Sequence, residues 1–479
     1  MSSGSRNRDP VFFVPRDVFF THILPFFTHR TIFSALQLIS KNHYTFFQKN
    51  KSTIDLILWN GPKPPWAVRD GWTYTHLNQM HYNILHGSGR IILLKKKLHS
   101  DKIIGLERLF SRRGLYASVC FSGGVKVFAK DKQLSQEMYL NFKSIAQNHI
   151  RSFTSCAVLR GPGYESPPTY FVCGGKNGKI VVWPMDSLAN ILEGFVANIS
   201  SAHIRSLISI PSNDTQFFVS DGDGVIRLVE ITQKHAPTSQ KAKGRVDLEC
   251  LIRYKWDTRA QTMESDEFLS NLHENESANL DSPTKIHEYA VTGMCAIEDK
   301  MCACTKKRGL YVFSRKTDGK GTANFTWRKQ KLFGNHSRFV NDRNLSCLEF
   351  LTSDVVVIGT RGASMTGGSP MILSLLKDEC VFAVSLQAEE IIWSLPVRRS
   401  VSSVIPLNPN IVVVSSDLEG LQVWNTQTRT VINKIDQRPN TMWFANLKFT
   451  TPGRLIGTID GDVIELQFHS KAKSKIKKK

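Results

Sequence analysis

FVCGGKNGKIVVWPMD, residues 171–186, holds an apolar run, a turn carrying Asn177 and Gly178, and a second apolar run that ends at Trp183. Runs this short, flanking an Asn-Gly turn, read as two antiparallel strands and not as helix. The plan recurs along the chain. FFVSDGDGVIRLVEIT (217–232) and VVVSSDLEGLQVWNTQ (412–427) repeat it clearly. YASVCFSGGVKVFAKD (116–131), CACTKKRGLYVFSRK (302–316) and RLIGTIDGDVIELQFHS (454–470) are weaker copies, and LSCLEFLTSDVVVIGTRGAS (345–364), followed by MILSLL (371–376), is a seventh. A recurring strand–turn–strand unit cannot bury its apolar face alone, so neighbours must stack on one another. The expectation is a mainly β chain with a seven-bladed β-propeller.

Asn177 precedes Trp183 by the spacing that Asp223 and Val229, and Asp460 and Leu466, also keep. The sequence His-Ile-Arg-Ser occurs at His149–Ser152 and again at His203–Ser206, each time just before the first strand of a unit. These features resemble the WD-repeat family. The resemblance implies that His149 and His203 fix the turns of their own blades and are not catalytic.

Seven blades of ~43 residues need roughly 300, and residues 90–469 supply more. The surplus is expected in two places. Residues 257–288 are acidic, rich in Ser and Asn, and read as a disordered loop. A second insertion, rich in Lys, Gly and Asn, is expected around 314–344. The strand RIILLKKK (90–97) lies before the first full unit and is expected to complete the last blade beside 462–468, removing an exposed edge.

The N-terminal part is different in texture. In VPRDVFFTHILPFFTHRTIFSALQLISKNHYTFF (14–47), Phe19, Ile23 and Phe27 make one helical stripe, opened by Pro15. Thr31 suits an N-cap, and Ile32, Ala35, Leu36 and Ile39 make a second stripe. Ser40 can cap a third helix with Tyr44 and Phe47. Three short helices bury little by themselves, so the unit needs a neighbour or a partner. Val14-Pro15, Asp17-Val18, Ile23-Leu24, Phe27, Ile32, Leu36 and Ile39-Ser40-Lys41 together resemble an F-box, with His43 where that family usually has tryptophan. The resemblance implies that Pro15, Val18, Ile23, Leu24, Phe27, Leu36 and Ile39 dock a Skp-type adaptor, and through it a cullin–RING ubiquitin ligase. On this reading residues 1–10 are a disordered N-terminus, 11–51 the all-α F-box, 52–89 a helical connector, 90–469 the propeller and 470–479 a basic tail. In the connector Trp72, His76, Leu77, Met80 and Ile84 lie at helical spacing, and Trp72, Tyr74, Asn83 and Gly87 are placed as in the connectors of F-box proteins that carry propellers.

Composition limits the function. The chain has 479 residues and a formal net charge of +21, which admits nucleic acid or another polyanion as a partner, although a protein partner is expected ahead of nucleic acid. Its last eleven residues, HSKAKSKIKKK, carry six lysines, a solvated tail or a nuclear-import signal. No apolar run reaches the ~20 residues that span a bilayer, so no membrane partner is expected. The start, MSSGSRNRDP, has no apolar signal segment, and the expected location is intracellular, cytoplasmic or nuclear. The nine cysteines show no CxxC pair, and Cys302 and Cys304 share a strand face, so buried reduced thiols are expected and no metal. No P-loop, GxSxG or HExxH occurs. Neither catalysis nor a cofactor is expected.

Arginines recur before the first strands of several units: Arg151, Arg205, Arg343, Arg398 and Arg399. Gathered on one rim, guanidinium groups could hold an acidic or phosphorylated protein substrate through bidentate hydrogen bonds. Two functions follow. The leading one is a substrate receptor of a Skp–cullin–F-box ligase. The other is a WD-repeat scaffold of a nuclear or RNA-associated complex, although no aromatic-plus-basic stacking motif of a single-strand binder is visible in the sequence.

Overall fold

The computed structural model describes residues 63–69, 71–110, 114–129, 150, 152–162, 166–185, 194–233, 248–258, 262–265, 290–305, 309–317, 325–332, 344–361, 381–397, 400–416, 419–435, 444–451 and 453–470. Residues 11–51, including the seven expected adaptor-binding positions, lie outside the described residues, as does the basic tail from residue 471 on, while Ser470 belongs to the last strand.

The strands form seven separate antiparallel sheets, one for each repeat unit. Each sheet is a meander whose first strand lies innermost. In blades 1 to 7 these inner strands are Ile103–Phe110, Phe153–Arg160, Ile204–Ser209, Val291–Ala296, Asn344–Phe350, Val401–Asn408 and Ala445–Thr451. Each touches the inner strand of the next blade, and that of blade 7 touches that of blade 1. The result is a closed seven-bladed propeller.

Closure uses the predicted strand. Gly87–Lys95 pairs antiparallel with Asp462–Ser470 as the outermost strand of blade 7, with Arg90 opposite Gln467 and Ile91 opposite Leu466. The first strand of the array thereby locks the last blade, which leaves no open ring edge.

The turn in FVCGGKNG explains its glycine. Gly178 has φ +75°, and a Cβ there would lie 1.8 Å from Ser200 O, so only glycine fits. Trp183 is buried, stacked on Phe171 with ring centroids 5.8 Å apart. Val229 and Leu466, at the same place in their blades, are fully buried. The repeat tolerates the loss of tryptophan because an aliphatic side chain fills the same layer.

Three stretches differ from expectation. Within 257–288, Thr262–Ser265 forms a fifth strand on blade 3, pairing Tyr254 with Ser265 and Asp257 with Thr262. Within 314–344, Phe325–Leu332 is the outer strand of blade 4, paired with Gly309–Thr317. Main-chain pairing there overrides the polar, loop-like composition of the surrounding segments. In blade 5 the strand that pairs with Val355–Arg361 is Val381–Ser385, and MILSLL (371–376) lies outside the described residues.

The connector holds two helices where one was expected, α1 (Pro65–Arg69) and α2 (Tyr74–His86). Trp72 precedes α2, and Thr73 caps it: His76 N donates to Thr73 Oγ1 at 3.2 Å, and Thr73 N donates to His76 Nδ1 at 3.4 Å. Trp66, Trp72, Leu77, Met80 and Ile84 share one core with Ile405, Leu407, Ile435, Phe449 and Phe468 of blades 6 and 7. The helices are thus packed onto the propeller, and α2 runs straight into the locking strand.

The cysteines that the structure describes are free. Cys302 and Cys304 are both fully buried in the core of blades 4 and 5, and burial pushes the Cys304 thiol up to about 12.

His99, on the loop between the locking strand and blade 1, is 4% exposed with Nε2 2.8 Å from Ser118 Oγ. Burial, reinforced by the Lys126 charge and partly opposed by the Ser118 bond, lowers its pKa from 6.5 to about 4. The unfolded chain then takes up a proton near pH 6.5 that the folded chain refuses until near 4. Stability should be full above pH 6.5 and fall as pH drops toward 4, by up to about 3 kcal/mol from this residue. Urea unfolding across that range should show the slope, and His99→Gln should flatten it.

Candidate functional site

Each inner strand starts on the same face of the propeller as the turns between the second and third strands of the blades. We call this the upper face. Near its start, every inner strand skips a register position, the mark of a β-bulge. The skipped residues are Ile104, Thr154, Arg205, Thr292, Ser346 and Ser402 in blades 1 to 6, and Asn446 with Leu447 in blade 7.

Most of these bulge side chains are small and polar, and they bond the ring together. Thr154 Oγ1 donates to Gly174 O at 3.1 Å and Thr292 Oγ1 to Cys304 O at 3.2 Å, each within its blade. Ser346 Oγ reaches Gly359 O at 3.0 Å and, in the next blade, Val401 O at 2.7 Å. Ser402 Oγ likewise reaches Phe444 O at 2.7 Å. At the closing seam Asn446 Nδ2 donates to Thr458 Oγ1 at 3.1 Å, and Lys448 Nζ pairs with Glu107 at 2.7 Å. Carbonyls that the bulges free are thereby satisfied.

Blades 1 and 3 depart from this pattern, blade 1 with the partly buried Ile104. In blade 3 Arg205 occupies the bulge, and its side chain is exposed. Of the five expected substrate-binding arginines, Arg205 alone falls among the described residues. Arg151, Arg343, Arg398 and Arg399 lie outside them, each within three positions of the start of an inner strand. The structure therefore places one of the five on the upper face.

Beneath Arg205 lies a residue that the sequence reading passed over in favour of Asp223. Asp221 is 1% exposed and accepts from Asp223 N at 3.0 Å, Val225 N at 2.9 Å, Ser200 Oγ at 2.6 Å and Arg227 NH1 at 2.6 Å. His203 is placed structurally, as expected: its O accepts from Gly222 N at 2.9 Å, and its ring covers Gly222 so closely that a Cβ there would lie 2.2 Å from Cε1. His149 lies outside the described residues.

Two further cations and one aromatic belong to this face. Phe121, in the blade 1 turn, is among the exposed large apolar side chains, and Lys176 of the blade 2 turn lies over its ring with Nζ 4.3 Å from the centroid. Lys102 is exposed beside them, its O accepting from Phe121 N at 3.0 Å. Sequence reasoning missed this pairing because its partners come from different repeat units. Among the described residues no cluster of His, Cys, Asp and Glu could hold a metal ion, and no helix is long and apolar enough to cross a membrane.

No protein-family model matches the chain, and no curated protein matches it in sequence. Solved structures do resemble it in shape. One is "RRP9 WD40 repeats", at 12% identity and TM-score 0.47, covering 80% of this chain and 99% of that one. Another is "U3-55K", at 12% identity and TM-score 0.46, covering 79% and 98%. A third is the computationally designed Ika8 protein, at 14% identity and TM-score 0.45, covering 78% and 85%.

Proposed function

We propose that this chain is a non-catalytic propeller scaffold that works in a nucleic-acid-associated assembly, with its upper face as the binding surface. The observation that carries this reading is the bulge ring. Its small polar residues spend their hydrogen bonds inside the fold, whereas blade 3 carries an exposed Arg205 there, on the same face as the exposed Lys102 and Lys176, in a chain of net charge +21. Cations presented together on a rigid rim attract a polyanion.

A second reading, substrate receptor of a Skp–cullin–F-box ligase, is favoured by one specific observation. Helices α1 and α2 share a core with blades 6 and 7, so a docking module at residues 11–51 would be tethered close to a rigid body. Both readings are tested by affinity purification of the full chain, with and without nuclease, beside an Ile23→Asp, Leu24→Asp double variant. The scaffold reading expects nucleic acid and associated proteins in both samples, reduced by nuclease. Recovery of only a Skp-type adaptor and a cullin, lost in the double variant and indifferent to nuclease, would sink it in favour of the receptor.

A further inference from the structure

Phe121 is 36% exposed, yet its surroundings are rigid. Cys120 N donates to Gly124 O at 2.9 Å and Gly123 N to Cys120 O at 3.1 Å, with Gly123 at φ 92°. The turn thus holds an aromatic ring at the surface instead of folding it inward, with Lys102 bonded to its backbone and Lys176 over its face. The Lys176 turn is in turn fastened to the loop that leads to Arg205: Ile199 N and Ser200 N both donate to Gly178 O, at 3.1 and 3.0 Å. Lys102, Phe121, Lys176 and Arg205 therefore follow one another across blades 1, 2 and 3.

We infer that this run is a binding site for single-stranded nucleic acid, in which a base takes the Phe121 face that Lys176 now covers and phosphates engage the displaced Lys176 together with Lys102 and Arg205. An exposed ring already held against a cation suits a base and its neighbouring phosphates, because stacking is indifferent to sequence and the released charge tracks the backbone. A phosphopeptide would be met by a fork of guanidinium groups around one phosphate. Here two of the three cations are lysines, and the centre of the run is a ring. The inference rests on the nucleic-acid reading proposed above and gives it a place on the surface.

The test uses the full chain and a fluorescent oligouridine RNA of about 12 nucleotides, read by anisotropy at low salt. Phe121→Ala should weaken binding about tenfold. Lys176→Gln should weaken it too and reduce the slope of log affinity against log salt by about one. Phe121→Trp should bind as the parent does and show fluorescence quenching on RNA addition beyond the parent's own change. The same substitutions in a chain whose tail lysines are changed to Gln should give the same ratios, since the tail is a separate polycation. Parent-like affinity of Phe121→Ala, or an unquenched Trp, would overturn the site while leaving the assembly reading intact. A phosphopeptide that displaces the RNA and quenches the Trp at lower concentration would overturn the choice of ligand. If no variant and no parent binds RNA, and the purified assembly is indifferent to nuclease, both readings fall together.

Discussion

Asp221→Ala should lower the stability of the protein by about 3–5 kcal/mol, the cost of leaving a buried guanidinium without its counter-ion. The carboxylate is 1% exposed and the Arg227 side chain 8%. The loss also strips acceptors from Asp223 N, Val225 N and Ser200 Oγ, so the blade 3 turn loosens with the ion pair. Urea unfolding followed by tryptophan fluorescence measures this directly. The decisive comparison is the double variant Asp221→Ala, Arg227→Met. Removing both charges relieves the unpaired cation, and most of the lost stability should return. A double variant no more stable than Asp221→Ala would mean that the turn hydrogen bonds, and not the ion pair, carry the effect.

Trp66→Ala should cost about 3–5 kcal/mol as well, by opening a cavity where α1 meets blades 6 and 7. Trp66 is 4% exposed, stacks on Phe449 at 5.2 Å and meets Trp72 edge-on at 5.6 Å. Its Nε1 donates to Pro406 O at 2.7 Å. Trp66→Phe keeps most of the apolar contact and gives up that bond, so about 1 kcal/mol should separate it from the parent. Amide exchange adds a second reading of the same variant. If the helices and the locking strand are one unit, Trp66→Ala should speed exchange across Gly87–Lys95 more than in blades 2 and 3.

Much of this architecture can be read in the chain because each blade repeats one local rule. The Asn-Gly turn of residues 171–186, the replacement of Trp183 by Val229 and Leu466 at the same place in their blades, and the early strand that locks blade 7 all follow from short-range pattern. What escaped the pattern was set by pairing between distant segments. Phe325–Leu332 reads as a Lys-rich loop until Gly309–Thr317 supplies its hydrogen bonds. Val381–Ser385 takes the place beside Val355–Arg361 in blade 5 because strand order depends on the length of the intervening segment, which periodicity does not reveal. The site divides in the same way. Arg205 was visible as a basic residue before a strand, but its exceptional character appears only when the bulges of all seven blades are compared. Asp221 was hidden by its neighbour Asp223, since burial, not spacing, distinguishes the two. Phe121 and Lys176 meet only because blades 1 and 2 are stacked.

The central claim, that the upper face of the closed ring is the binding surface, is tested most directly by lysine footprinting of the purified assembly. Lys102 and Lys176 stand on the upper face, and Lys300, which opens the second strand of blade 4, stands on the opposite one. Assembly should slow acetylation of Lys102 and Lys176 relative to the isolated chain, while Lys300 reacts at the same rate in both. Protection of Lys300 with Lys102 and Lys176 unchanged would contradict that claim.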